Sequence, residues 1–266
     1  AFEMADIDRI EANQRGPQAD VRFRQAIARQ VAMLAQDLLR ILRDRAEADP
    51  EIRIDARTRA ELDITDAAAV DAAVADADVV LNAAAYTAVD KAEEDEDAAY
   101  AINATGVENL ARAAARHGAT LVHYSTDYVF HGDGTSPYAE DAPRDPLNAY
   151  GRTKAAGEQL ALAANPDATY VLRTAWIYGL GGPNFAKTMV KLAGSHPEVT
   201  VVDDQLGQPT STADLAAQTF ALLDAHGPAG IYHATNSGEC TWFEFAQAIF
   251  AEAGLDPERV KPTDSS

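Results

Sequence analysis

Thr120-Leu121-Val122-His123-Tyr124-Ser125-Thr126-Asp127 is an apolar run that closes on three polar residues. A short run of this kind, bounded by polar or turn residues, suits a strand buried on both faces of a parallel sheet. Val79-Val80-Leu81-Asn82, Tyr170-Val171-Leu172-Arg173 and Val199-Thr200-Val201-Val202 read the same way. Helical stretches lie between them. Ala98 to His117 carries Ile102, Val107, Leu110 and Ala114 at near-helical spacing, and Gly118 stops it. Ala149 to Ala164 is a second, ended by Asn165-Pro166. Alternating strands and helices predict an α/β fold with a doubly wound parallel sheet. Such sheets bind ligands beyond the carboxyl ends of their strands. Those ends are Asn82-Ala83-Ala84-Ala85, Ser125-Thr126-Asp127 and Thr174-Ala175-Trp176, where small and polar residues gather.

The 266 residues suit one large domain, or a domain with a smaller lobe, and 47% hydrophobic content supplies a core. A formal net charge of -20 argues against nucleic-acid and anionic-membrane partners, which the long-range field would repel. The single cysteine, Cys240, allows neither an internal disulfide nor a Cys-based metal site, and it fits a reducing, cytoplasmic setting; no residue is assigned to a metal, and a metal at a subunit interface stays open. No apolar run approaches the ~20 residues needed to cross a bilayer.

Tyr150 and Lys154 are four apart on a predicted helix and so share a face. An isolated phenol titrates near pH ~10 and is a poor acid or base at neutral pH. A nearby ammonium favours the phenolate and makes the phenol usable for proton transfer at a carbonyl oxygen. Ser125 or Thr126 could supply a hydroxyl that orients it. On its own, Tyr-x-x-x-Lys on a helix is better read as chance; Ser125-Thr126-Asp127 at an upstream strand end shifts that balance.

The stretch from Leu81 to Gly157 resembles the extended short-chain dehydrogenase/reductases, and within them the dTDP-4-dehydrorhamnose reductase family. The residues that carry the resemblance are Asn82 to Glu93 (NAAAYTAVDKAE), Ile102-Asn103-Ala104, His123 to Phe130 (HYSTDYVF) and Asn148 to Lys154 (NAYGRTK), with Gly157-Glu158 behind. Arg173 to Tyr178, Asn184 to Met189, Asp204 to Thr210 and, upstream, Glu61 to Asp66 also match. The likeness runs from about residue 33 to the C-terminus. It implies a Rossmann-type sheet with a smaller C-terminal substrate lobe, and a reductase that moves hydride from NADPH or NADH to the C4 ketone of a dTDP-4-keto-6-deoxyhexose. A dTDP-dihydrostreptose-type synthase is a near relative, and a homodimer is compatible. An epimerase or dehydratase would share the Tyr-x-x-x-Lys chemistry, and a non-catalytic sugar-nucleotide-binding subunit could use the same fold.

The resemblance also implies roles. Tyr150 would protonate the sugar oxygen, Lys154 would lower the Tyr150 pKa and hold the nicotinamide ribose, and Thr126 would bond near the phenol and the substrate. Ala32, Met33 and Leu34 would stand by the pyrophosphate, and Asp63 and Ile64 by the adenine. Ala84, Ala85, Tyr86, Thr87 and Tyr124 would line the cofactor path. Asp127, Trp176, Asn184, Lys187 and Gln205 would face the sugar nucleotide. Each has a plainer reading: Asp63 and Asn184 as helix caps, Trp176 as core, Lys187 as a solvated charge. Arg57 and Arg59 read first as surface charges, with a cofactor 2′-phosphate as the other reading.

The chain departs from the family pattern where a Gly-x-x-Gly-x-x-Gly turn should cradle the pyrophosphate. Arg29, Ala32 and Ala35 occupy those positions, and no glycine lies between Gly16 and Gly106. Ile27, Val31, Leu34, Leu38 and Leu42 recur instead with a helical period. Three explanations stand: a degenerate site, Arg29 partly replacing the turn, or altered N-terminal text. Residues 1–20 read as an extension of unknown role and 21–180 as the dinucleotide-binding domain with an atypical first strand. Residues 181–266 read as a substrate lobe interleaved with the last sheet elements and cut short, since the family continues past Ser266 with a Pro- and Arg-containing segment.

Overall fold

The computed structural model describes residues 33–265. The expected strand within 21–27, the extension 1–20, and Arg29 and Ala32 lie outside the described residues. The helical period seen from Leu34 onward becomes α1 (Met33–Ala48), with Leu34, Ala35, Leu38 and Leu42 on its buried side. Then follow α2 (Ala67–Val74), β1 (Val79–Asn82), α3 (Val89–Glu94) and α4 (Glu96–Tyr100), the last running through a wide π-type turn at Ala101–Thr105 into α5 (Gly106–His117). Gly118 ends α5 at φ 72°, a left-handed cap that glycine adopts without strain.

Next come β2 (Thr120–Thr126), α6 (Ala149–Ala164), β3 (Thr169–Thr174), the short β4 (Ile177–Tyr178) and α7 (Phe185–Ala193). The chain finishes with β5 (Val199–Val202), β6 (Leu206–Gly207), β7 (Thr210–Ser211), α8 (Thr212–Asp224), β8 (Gly230–His233), β9 (Cys240–Thr241), α9 (Trp242–Glu252) and β10 (Val260–Thr263).

The main sheet has the order β1-β2-β3-β8 and is parallel throughout. Strand side chains alternate between two helical layers. Val79, Leu81, Val122, Tyr124 and Leu172 meet Leu34, Leu38 and Leu42 of α1 and Leu215 and Phe220 of α8. Val80 and Leu121 meet Val70 and Val74 of α2, Val107 and Leu110 of α5, and Ala161 of α6. The doubly wound α/β arrangement predicted from the alternation is therefore present.

The sequence reading misplaced one strand. Val199–Val202 does not join the main sheet; β5 pairs in parallel with β10 in a separate two-stranded sheet. Its burial alternates, with Val199 and Val201 inside and Thr200 exposed, as a sheet covered on one face requires. With Met189, Ala246, Phe250 and Val260 these valines form a second core. The helix and strand that follow it, α8 and β8, return to the main sheet.

Candidate active site

Helix α6 sets the position of Tyr150 and Lys154. Its first turn is held by Asn148, whose Oδ1 accepts from Gly151 N at 2.7 Å, and by Glu93, which accepts from Ala149 N at 2.5 Å. The helix lies close against the π-type turn. A side chain at Gly157 would run into the carbonyl of Asn103, so only glycine admits this approach.

The Tyr150 ring packs edge-on against Tyr128, with centroids 5.6 Å apart. Burial pushes its phenol well above the ordinary value, the charge of Asp127 adds to the rise, and the Thr126 hydroxyl opposes it. Thr126 ends β2 and also donates to Asp127 Oδ1 at 2.9 Å. The Asp127 carboxyl is itself raised by burial, against the hydrogen bond from Thr126. Of the two candidate hydroxyls, Thr126 is the one beside the phenol; Ser125 lies in the surroundings of Glu158.

Lys154 is 1% exposed. Its Nζ donates to the Tyr124 carbonyl at 2.6 Å and lies 3.2 Å from His123 Nε2. Burial lowers its pKa to about 8, against the pull of Glu158. In this structure the Lys154 nitrogen is engaged by the Tyr124 carbonyl and His123.

The loop after β1 is held from inside. Asn82 Oδ1 accepts from Ala84 N at 3.1 Å. Asn103 grips both backbone groups of Tyr86, at 2.8 and 3.1 Å, and donates to Thr153 Oγ1 at 3.1 Å. Ala84 and Ala85 are half-buried on this loop and Thr87 is exposed. Tyr124, expected on the cofactor path, turns its phenol to Thr219 Oγ1 at 3.0 Å and offers the site only its carbonyl. Asp63 does not cap α2; Asp66 does, accepting from Ala68 and Ala69. Asp63 accepts instead from Thr65 N at 2.9 Å and Oγ1 at 2.8 Å, bonds that hold its carboxyl below the ordinary range. Ile64 lies against Gly106, and Arg57 is tied to Asp55 at 2.6 Å.

On the other side of the strand ends, Trp176 adopts a left-handed backbone conformation, φ 47°, and stacks on Trp242 at 3.6 Å. Asn184 does cap α7, accepting from Lys187 N at 3.0 Å, and donates to Gly179 O and to Met33 Sδ. Lys187 holds the carbonyls of Leu180 and Gly182 rather than standing free. Gln205 is exposed between β5 and β6. The structure thus gathers Thr126, Asp127 and Tyr150 around one phenol, with Lys154 anchored behind. Asn184 joins Lys187 and Met33 in a second group.

Sequence reasoning gave no role to His123, Asn103, Thr153 or Trp242. His123 and Asn103 stand inside quoted motifs, and a polar residue flanked by buried apolar ones was the available signal. Nothing local marks Trp242. Among the described residues no cluster of three metal-ligating side chains occurs, and no helix is long and apolar enough to cross a membrane.

Comparison with known proteins agrees with this geometry. Residues 31–266 match the family model described as the RmlD substrate binding domain. A dTDP-4-dehydrorhamnose reductase of Streptomyces griseus is 49% identical over 239 residues, 88% of this chain and 77% of that protein. A dTDP-4-keto-6-deoxy-D-glucose reductase of Streptomyces niveus is 46% identical, over 88% of this chain and 80% of its own length. The crystal structure of dTDP-4-dehydrorhamnose reductase from Bacillus anthracis in complex with NADP superposes with a TM-score of 0.85 at 38% identity, covering 92% of this chain and 85% of that one. From the family match and these identities, the chain belongs to the dTDP-4-dehydrorhamnose reductase family of extended short-chain dehydrogenase/reductases.

Proposed function

We propose that the chain reduces the C4 ketone of a dTDP-4-keto-6-deoxyhexose with NADPH or NADH, and that Tyr150 gives the proton to the C4 oxygen. One observation carries this reading. A buried phenol whose pKa is raised stays protonated through the neutral range, and it sits beside a strand-end hydroxyl at the carboxyl edge of a parallel sheet.

The described residues fit a nicotinamide dinucleotide. The backbone of the loop from Asn82 to Thr87 is fixed from inside by the side chains of Asn82 and Asn103, leaving small alanines at the sheet edge. Thr174, in register with Thr126 on the neighbouring strand, has a buried hydroxyl with no partner among the described residues. Ala84, Ala85, Tyr86 and Lys154 would hold the group, which supplies hydride when bound. Thr126 orients the Tyr150 phenol, and Asp127 and Trp176 border the place of the sugar. The segment 181–266 would then close the substrate side, through the aromatic stack on Trp242.

Purified protein mixed with NAD(P)H and dTDP-4-keto-6-deoxy sugars is expected to consume the reduced nicotinamide, and Tyr150→Phe to abolish most of that consumption. Because the relatives carry two related sugar names, both 4-keto sugars belong in the assay, with product identified by NMR. Absence of turnover with either sugar and either cofactor would sink the reading.

A further inference from the structure

A continuous line of polar groups runs through the core from the loop after β1, across β2, to α6. Ala84 N donates to Asn82 Oδ1 at 3.1 Å, and Asn82 Nδ2 lies 3.1 Å from His123 Nδ1. His123 Nε2 lies 3.2 Å from Lys154 Nζ, which donates to the Tyr124 carbonyl at 2.6 Å. Asn82, His123 and Lys154 are 3%, 0% and 1% exposed, so their hydrogen-bonding needs must be met within this line.

The direction of the line follows from donor and acceptor chemistry. A backbone amide only donates, so the Asn82 atom facing Ala84 is the oxygen, and the other is the amide nitrogen, which also only donates. The Nδ1 of His123 must therefore accept. A neutral ring that accepts at Nδ1 carries its hydrogen on Nε2, and that hydrogen points at Lys154. An ammonium has three donors and no lone pair, so two donors would collide there; a neutral amine accepts the bond and still donates to Tyr124.

We infer that His123 is the positioning residue of Lys154: its Nε2–H fixes the side-chain nitrogen as an acceptor over the Tyr124 carbonyl, so the amine is neutral in this place. The inference deepens the proposed site, since it rests on Lys154 serving beside Tyr150. On leaving this place for the phenol and the cofactor ribose, the amine takes one proton from solvent and becomes the ammonium that role needs. The charged surroundings agree. Burial keeps His123 from protonating. Burial lowers Lys154 against Glu158, one turn further along α6, whose charge is already matched by Arg173 from β3 and by Arg144. The phenol of Tyr124 faces away, toward Thr219 on α8.

The chain has five lysines, at 91, 154, 187, 191 and 261, so ε-13C-lysine labelling of the full chain gives a readable NMR titration. Lys154→Arg assigns the signal. Lys154 is expected to titrate roughly two units below the other four, and His123→Phe to raise its midpoint by about one unit or more. His123→Gln, which keeps an N–H donor, should restore most of the depression. Side-chain 15N shifts of His123 should report the Nε2–H tautomer above the Lys154 midpoint, where the amine is neutral. An Nδ1–H tautomer, an imidazolium, or the same Lys154 midpoint in wild type and His123→Phe overturns the inference. If His123→Phe does not fold, the tautomer and the His123→Gln titration decide alone. Ketosugar turnover is measured on the same samples. Its absence defeats the reductase reading and leaves the titration result standing.

Discussion

Thr126 Oγ1 donates to Asp127 Oδ1 at 2.9 Å, beside the Tyr150 phenol whose rise the same hydroxyl opposes. Burial first, then the Asp127 charge, keep the phenol protonated. Asp127→Asn removes that charge while keeping an Oδ1 that can accept from Thr126. The Tyr150 pKa should fall, and the alkaline limb of the kcat/KM profile should move to lower pH, because the protonated phenol is the active form. Tyr150→Phe should lower kcat by about 10²- to 10⁴-fold while cofactor affinity changes little. An unmoved alkaline limb in Asp127→Asn would show that another group governs it.

Lys154 makes stability depend on pH in an unusual direction. Its folded pKa, about 8, lies below the 10.5 of the free side chain. Between those values the unfolded chain binds more protons, so folding gains stability as pH rises. Below the folded value the cost of burying the charge is fully present. Compared with Lys154→Met, which does not titrate there, the wild type should therefore improve by up to about 3 kcal/mol from pH 8 to 10.5. Urea midpoints of both proteins across that range measure the difference, and a flat difference would contradict the burial argument.

Glu158 and Arg173 are both buried, 2.7 Å apart, and Arg144 reaches Glu158 from the rim at 2.6 Å. Burial alone would raise the Glu158 carboxyl; the bonds and charge of Arg173, with smaller help from Ser125 and Arg144, outweigh it and hold it below the ordinary range. Glu158→Ala leaves Arg173 buried and unpaired and should cost about 3–5 kcal/mol in chemical denaturation. Arg144→Ala, at a partly exposed partner, should cost about 1 kcal/mol. The stabilisation from Glu158 is present above pH 4.5 and is lost as pH falls through its lowered folded value.

In the proposed site Trp242 would support the face that Trp176 offers to the sugar. The stack at 3.6 Å accompanies a left-handed backbone at Trp176 that a bulky residue rarely adopts. Trp242→Leu should raise KM for the sugar nucleotide by roughly three- to tenfold, the worth of an aromatic pair, and leave cofactor affinity in place. Equal losses in both would point to general loosening of the lobe.

The parallel sheet was legible because its strands are apolar on both faces, and α6 was read over Ala149 to Ala164 with Asn165-Pro166 as its stop. The placement of β5 was not, since four residues with three valines look alike whether one or both faces are covered. Thr126, Asp127 and Tyr150 could be found because strand end and helix start are local features. The anchorage of Lys154 could not. His123 precedes it by 31 positions, and only the crossing from β2 to α6 brings them together. The same holds for Asn103 and Thr153, 50 positions apart.

Gly157 meets the Asn103 carbonyl with no room for a single carbon between them. The spacing of α6 from the turn at Ala101–Thr105 is thus gauged by backbone against backbone, the least compressible pair of surfaces a protein has. Tyr150 and Lys154 inherit that tolerance. An alanine at 157 would act as a shim, tilting the phenol and the amine away from the strand ends together, so the reach of both side chains is dimensioned seven residues from one and three from the other.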